Sequence, residues 1–147
     1  ESLAAGQSDQ YTISTLAGPI IPEILANGEI KVDMGEPILE GKLVPTTLPS
    51  DDDGRVVEAP MSVGGKDWKV TCVSMGNPHA IIFVPDLDAL DLPTIGPLFE
   101  SHPVFPARIN VEFVQVLSPT HLKMKDYKKP NIDFPPVILI ISFLKII

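Results

Sequence analysis

Proline is the feature that most restricts how this chain of 147 residues can fold. The chain contains 16 prolines, which is about twice the usual share for a globular protein. Proline fixes φ and lacks the N–H that a helix interior or a central strand needs. Strands, turns and short connections are therefore expected in place of long helices. Hydrophobic residues make up 44% and charged residues 20%, which is the composition of a folded domain and not of a disordered segment.

The charge and residue counts exclude several kinds of partner. The net charge is −8 and no basic stripe is present, whereas nucleic-acid binding depends on Lys and Arg that neutralise phosphates. Residues 51–53 are consecutive aspartates without the remaining ligand spacing of a calcium loop, so a solvated loop is expected. One cysteine and three histidines are too few for a Cys-rich zinc site. The apolar run at 137–147 is shorter than the roughly 20 residues that span a bilayer. These observations predict no metal, no nucleic acid and no membrane partner.

The first third of the chain has the pattern of a β-meander. Alternating residues at 11–16 and a short apolar run at 20–25 are followed by Asn27-Gly28, which precedes another alternating segment. Asn-Gly between two such segments predicts a β-hairpin, because both residues tolerate positive φ. Residues 35–54 are rich in proline, threonine and aspartate, which is typical of a connector at a domain boundary.

The remaining residues predict more strands and a single helix. Apolar residues recur at three- and four-residue spacing across 91–101, with Pro93 tolerated in the first turn. Gly64-Gly65 predicts a turn between two strands. The predicted strands, which share β-branched and alternating patterns, lie at 56–63, 68–75, 80–84, 110–117 and 121–125.

Two short segments carry residues that are suited to binding chemistry. Gly76-Asn77-Pro78-His79 lies between two predicted strands. On spacing alone an ordinary β-turn with an exposed histidine explains it, because Gly adopts unusual backbone angles and Asn before Pro stays extended. In the functional interpretation, the Asn77 amide offers donors and an acceptor to a zwitterionic amino acid, while the imidazole shuttles a proton or tunes a neighbouring group.

The second segment is the strand that contains Asn110. If its apolar residues pack inward, Arg108, Asn110 and Glu112 share the opposite face. A solvent-exposed polar face explains this pattern equally well. Cys72 lies in an apolar strand, where a free cysteine usually behaves as a small hydrophobic residue and not as a nucleophile.

Three ordered blocks of sequence resemble the diaminopimelate epimerase family. Residues 73–79 read VSMGNPH, residues 92–113 read LPTIGPLFESHPVFPARINVEF, and residues 32–37 read VDMGEP. The resemblance covers residues 11–125 and is strongest to the plant members of the family. It implies an α+β fold, in which twin β-barrels each surround a central helix.

The resemblance also implies a cofactor-independent, two-base epimerase that interconverts LL- and meso-diaminopimelate in lysine biosynthesis. In such enzymes one cysteine thiolate removes the Cα proton and a second cysteine thiol protonates the opposite face. By position, Asn77 and Asn110 correspond to substrate-binding residues. His79 corresponds to the histidine that modulates the pKa of a catalytic cysteine. No pyridoxal phosphate and no metal is used.

The same resemblance implies that the chain is incomplete. Residues 1–44 correspond to the end of the first family domain and residues 45–125 to the start of the second, while residues 126–147 depart from the family. Both segments that carry the catalytic cysteines are missing, so the chain alone is expected to be inactive. The implied partners are diaminopimelate and a second subunit in a homodimer. The implied location is the plastid stroma in a plant and the cytoplasm otherwise.

Two other functions remain open at this point. One is a non-catalytic truncated product, which either has no activity or associates with full-length subunits. The other is a different cofactor-independent isomerase of the same fold, such as a proline racemase-like or phenazine-biosynthesis-like protein. The combination of the two asparagine blocks favours the diaminopimelate epimerases over these relatives.

Overall fold

The computed structural model describes residues 9–15, 18–28, 30–33, 35–119 and 121–127. These residues form two compact units, which divide between Glu36 and Pro37. Residues 37–44 therefore belong to the second unit, whereas the sequence places the border between family domains at 44 and 45. That assignment of family domains stays a prediction. Most of the divergent tail, residues 128–147, lies outside the described residues.

The first unit consists of short antiparallel strands. The β2–β3 and β4–β5 pairs are consecutive along the chain, whereas β1 pairs with β4 and so departs from a simple meander. The predicted turn at Asn27-Gly28 is present between β4 and β5, but only Gly28 has positive φ, at 84°. The strands are β1 Asp9–Gln10, β2 Ile13–Thr15, β3 Gly18–Ile20, β4 Glu23–Ile24 and β5 Ile30–Lys31.

The second unit is built on a five-stranded mixed sheet with the order β10-β9-β8-β7-β6. Neighbouring strands are antiparallel except β8 and β9, which run parallel and are joined by the helix α1, Leu92–Glu100. Within the described ranges this is the helix that the sequence predicts, and no helix there is long and apolar enough to cross a membrane. The sheets, one of which is mixed, and the helix confirm the α+β class. The strands are β6 Ala59–Val63, β7 Lys66–Ser74, β8 Pro78–Phe83, β9 Asn110–Ser118 and β10 His121–Asp126.

Helix α1 begins with an acidic cap. Asp91 is the N-cap, and its side chain accepts hydrogen bonds from the Thr94 backbone N–H and from the Thr94 hydroxyl at 2.6 Å. Such caps satisfy backbone donors that have no partner inside the helix. Pro93 lies in the first turn, where its missing N–H leaves no hydrogen bond broken.

Three aromatic rings fix α1 against one face of the sheet. Trp68 on β7, Phe99 on α1 and Phe113 on β9 meet edge to face, with centroid separations of 5.4, 6.1 and 5.4 Å. Each such pair contributes about 0.5–1.5 kcal/mol beyond the burial of its area. The three rings therefore hold the crossover helix and the strand that follows it in one position.

The opposite face of β9 is also buried. This differs from the solvent-exposed polar face that is one interpretation of the sequence pattern. Ile109, Val111 and Phe113 pack in the core as expected. Glu112, one residue along and on the other face, is only 4% exposed, and Val114 is 2% exposed. The alternation of faces is therefore confirmed, but burial extends to both sides of this strand.

Tyr127, the first residue after β10, packs directly on α1. Its backbone N–H lies 3.4 Å from the Val111 carbonyl. Its ring occupies the space that a Cβ atom at Gly96 would fill. Gly96 has no positive φ, so this close approach, and not backbone conformation, requires glycine there.

Gly96→Ala should therefore destabilise the second unit even though alanine favours a helix by about 1 kcal/mol over glycine. In a Tyr127→Ala background the same change should be neutral or stabilising, because the overlapping ring is gone. Urea unfolding of the wild type, both single variants and the double variant measures the coupling. Equal effects of Gly96→Ala in both backgrounds would contradict this packing.

Cys72 lies within the core, on the same side of the sheet as α1. It is 1% exposed, and burial raises the pKa of its thiol to about 12, with a smaller opposing effect from a hydrogen bond with Thr46. At neutral pH the thiol is therefore protonated. The structure thus gives Cys72 the environment of a packing residue and not of a nucleophile.

A thiol reagent at pH 7 should label Cys72 slowly, because labelling requires the folded chain to open. Cys72→Ala should lower the free energy of unfolding by about 1–2 kcal/mol through the lost packing. Labelling followed by mass spectrometry, with and without urea, tests this. Rapid labelling of the folded chain would show that the thiol is accessible.

Candidate functional site

The turn between β7 and β8 places Asn77 at the protein surface. Gly76 has a φ of 97°, which strongly favours glycine. Its N–H donates to the Ser74 hydroxyl at 3.3 Å, and the Met75 N–H donates to the Asn77 carbonyl at 3.2 Å. These bonds fix the turn, so Pro78 and His79 begin β8 in a defined orientation.

The parallel pairing of β8 and β9 brings Asn110 beside this turn. Asn110 is the register partner of His79. Its side-chain Nδ2 donates to the Pro78 carbonyl at 3.0 Å. Asn77, His79 and Asn110 therefore meet at the end of the sheet where β8 and β9 begin. The structure thus brings together all three residues that the resemblance assigns to the site.

The imidazole of His79 is buried and is held at both of its nitrogens. Nδ1 lies 2.7 Å from Glu112 Oε1, and Nε2 lies 3.0 Å from Asn77 Oδ1. The residue is 7% exposed, in contrast to the exposed histidine of an ordinary turn. With both nitrogens engaged, the ring is positioned to influence neighbouring groups and not to bind a ligand directly.

Glu112 is the site residue that the sequence analysis did not select. One oxygen bonds His79, and the other, Oε2, is buried without a hydrogen-bond partner in the part of the chain that the structure describes. Burial raises the pKa of the carboxyl group, the hydrogen bond and charge of His79 oppose the increase, and Asp126 adds to it. Its spacing of two from Asn110 on one strand was the available signal, because that spacing places both on one face.

Two other candidates lie away from this cluster. The Arg108 side chain is 75% exposed, and its guanidinium lies 3.7 Å from Glu100 on α1. Arg108 also has a φ of 61°, and its backbone N–H donates to the Phe105 carbonyl in a turn. Cys72 pairs with Ala80 in the core, on the opposite side of the sheet from His79.

Two of the three aspartates at 51–53 form ion pairs with Arg55, which lies in the same loop. Arg55 contacts Asp51 at 3.3 Å and Asp53 at 2.6 Å, and the Asp51 side chain accepts from two backbone N–H groups of the same loop. No three His, Cys, Asp or Glu side chains within the described ranges are grouped as metal ligands. The site is therefore assembled from neutral amides and from a histidine–carboxyl pair.

Two amides and an imidazole–carboxyl pair are suited to an uncharged or zwitterionic ligand. Amide groups supply both donors and acceptors without a net charge. The His79 ring and the Glu112 carboxyl group are held together by a hydrogen bond of 2.7 Å. Such a site can bind an ammonium and a carboxylate together, and can set the electrostatic potential near a reacting group.

Comparison with known proteins extends these observations. Residues 71–131 match the sequence profile of the family described as Diaminopimelate epimerase. The match includes Asn77, His79, Asn110 and Glu112. It continues to Asn131, whereas the sequence blocks indicate a resemblance that ends at Lys125.

Curated relatives match over most of this chain. A diaminopimelate epimerase from Thermosynechococcus vestitus is 51% identical over 129 residues, which are 88% of this chain and 45% of the relative. Those from Synechocystis sp. and Acaryochloris marina are 55% identical over 119 residues and 58% identical over 114 residues. These two alignments cover 81% and 78% of this chain and 42% and 40% of the relatives. The chain spans less than half of the length of each.

The order of the sequence blocks, the cluster of site residues and these similarities agree. Residues 71–131 match the diaminopimelate epimerase family, and most of the chain is similar to relatives of that name, which are isomerases.

Proposed function

We propose that this chain supplies part of the substrate site of a cofactor-independent diaminopimelate epimerase, which interconverts the LL and meso forms by a two-base mechanism. The observation that carries the proposal is the junction of Asn77, His79 and Asn110 at one end of the parallel β8–β9 pair. In this proposal the two asparagines bind diaminopimelate. His79 modulates the pKa of a catalytic cysteine supplied by another segment.

The chemistry of the substrate supports this assignment. Diaminopimelate carries an ammonium and a carboxylate group at each end, so its recognition needs donors and acceptors close together. Asn77 and Asn110 offer these groups on rigid elements, because one is held by the His79 ring and the other by the Pro78 carbonyl. A rigid neutral site loses little conformational entropy on binding.

The proposal extends to the fold and the catalytic state of the chain. We assign residues 1–44 and 45–125 to parts of two barrels of the twin-barrel fold, each barrel around a central helix. We also propose that this chain does not epimerise by itself. Cys72 is its one cysteine, and that thiol is buried with a pKa of about 12. Enzyme-dependent uptake of solvent deuterium at Cα by the purified chain would refute that part.

Partner and location follow from the family. Diaminopimelate is the proposed small-molecule partner, and a homodimer is the proposed assembly. The proposed location is the plastid stroma if the source is a plant and the cytoplasm otherwise. The relatives that match most of the chain support the plant-like assignment, because they come from photosynthetic bacteria such as Synechocystis sp..

A chimera provides the direct test of the site. Residues 9–125 of this chain replace the matching residues of the Thermosynechococcus vestitus epimerase, and epimerisation is measured. Asn77→Ala in the active chimera should lower kcat/KM about ten- to a hundredfold, because an unpaired polar group costs about 1–3 kcal/mol. Asn27→Ala, in the β4–β5 turn, is the matched control and should leave kcat/KM within a factor of about two.

An inactive chimera that is folded would favour the alternative of a non-catalytic product. A chimera that acts on a different amino acid would favour another isomerase of the same fold. If Asn77→Ala and Asn27→Ala have equal effects, the proposed substrate site is wrong.

His79 should act on the reaction differently from the asparagines. It holds no substrate atom in this proposal, because both of its nitrogens bond protein groups. His79→Ala in the chimera should therefore displace one limb of the pH–rate profile, as expected when a group beside a catalytic thiol is lost. His121→Ala, at the exposed start of β10, is the control. An unmoved profile in a folded His79→Ala chimera would remove this role.

A further inference from the structure

Glu112, His79 and Asn77 form a continuous hydrogen-bonded series that runs from the interior of the second unit to its surface. Glu112 Oε1 lies 2.7 Å from His79 Nδ1, and His79 Nε2 lies 3.0 Å from Asn77 Oδ1. Glu112 and His79 are buried, whereas Asn77 is exposed. The series therefore connects a buried carboxyl group to a residue that can touch a ligand.

The hydrogen bonds restrict where protons can reside. An amide oxygen only accepts, so His79 Nε2 must carry a proton to bond Asn77 Oδ1. If Glu112 is ionised, Nδ1 carries a second proton and donates it to Oε1. If Glu112 is protonated, it donates to an unprotonated Nδ1. Nε2 is the donor to Asn77 Oδ1 in both states, because the amide oxygen only accepts and the carboxyl group can bond Nδ1 as either acceptor or donor.

The carboxyl group is an unfavourable choice for core packing alone. A buried oxygen without a partner costs about 1–3 kcal/mol, and Glu112 Oε2 lacks a partner in the part of the chain that the structure describes. Its neighbours on β9 are Val111 and Phe113, which are nearly fully buried. Buried polar groups of this kind, when only partly satisfied, call for an explanation other than stability.

We propose that Glu112 is a positioning residue of this site, which acts through His79 to set the orientation of the Asn77 amide. By holding Nδ1, it fixes the ring so that Nε2 faces Asn77 Oδ1, and this leaves Asn77 Nδ2, which only donates, for a ligand. This inference rests on the proposed function for its meaning in catalysis. The hydrogen-bonded series itself is independent of that function.

Nitrogen-detected NMR of the full chain tests the series. The chain has three histidines, so long-range proton–nitrogen spectra of histidine-labelled protein are simple, and His79→Gln identifies the ring of interest. In the wild type, the His79 Nε2 should be protonated, and its proton should exchange slowly with water. The Asn77 side-chain amide should give one fixed pair of resonances.

Three variants separate positioning from general stability. Glu112→Leu should increase the exchange rate of the Nε2 proton about tenfold, as expected for the loss of one hydrogen bond of about 1.4 kcal/mol, and should shift the Asn77 amide resonances. Glu112→Gln, which keeps the shape and a polar end, should restore most of the wild-type behaviour. Glu100→Gln changes another buried carboxyl group, on α1, and should leave both signals unchanged.

Two outcomes would overturn the proposal. One is a wild-type ring whose Nε2 is unprotonated, which is decided without any variant and so holds even if Glu112→Leu fails to fold. The other is a folded Glu112→Leu chain with unchanged Nε2 exchange and unchanged Asn77 resonances. A protonated Nε2 together with an inactive chimera would reject the proposed function and not the series. An active chimera with an unprotonated Nε2 would reject only the role of Glu112.

Discussion

The parallel pairing of β8 with β9 is the constraint on which the site depends. It sets His79 beside Asn110 and brings Glu112, 33 residues along the chain from His79, within 2.7 Å of the imidazole. A shift of one residue in this register would move Glu112 to the other face and present an apolar side chain to the ring. The crossover helix and the edge-to-face rings of Trp68, Phe99 and Phe113 oppose such a shift. Core packing on one face of the sheet therefore fixes the polar geometry on the other.

Placement of the site at the ends of strands has a physical advantage. The His79 ring is held at two nitrogens, and the Asn110 amide is tied to the Pro78 carbonyl. His79 and Asn110 lie on strands and not in a long flexible loop, so the distance and angle between their side chains vary little. Asn77 is the exception, since it lies in the turn, and its amide is held by the buried ring. Asn77, which is exposed and can contact a ligand, is thus held in place by the buried His79 ring.

Local signals in the sequence predicted most of the elements of the fold. The apolar periodicity at 91–101 predicted α1, and Gly64-Gly65 predicted the β6–β7 turn, where both residues have positive φ. The pairing of β1 with β4 and the parallel pairing of β8 with β9 were not predictable in this way, because strand alternation specifies a face and not a partner. Asn77, His79 and Asn110 came from motif resemblance. Glu112 was overlooked because an alternating polar position looks identical whether its face is solvated or buried.

The burial of Cys72 has a practical consequence for experiments on this protein. It is the one cysteine of the sequence, and its thiol is shielded inside the core with a strongly raised pKa. The folded chain therefore reacts little with thiol reagents, so Cys72 need not be removed before such experiments. A cysteine introduced beside His79 would be the dominant reactive thiol in the molecule. Its reaction rate as a function of pH would report directly on the electrostatic environment that this end of the sheet creates.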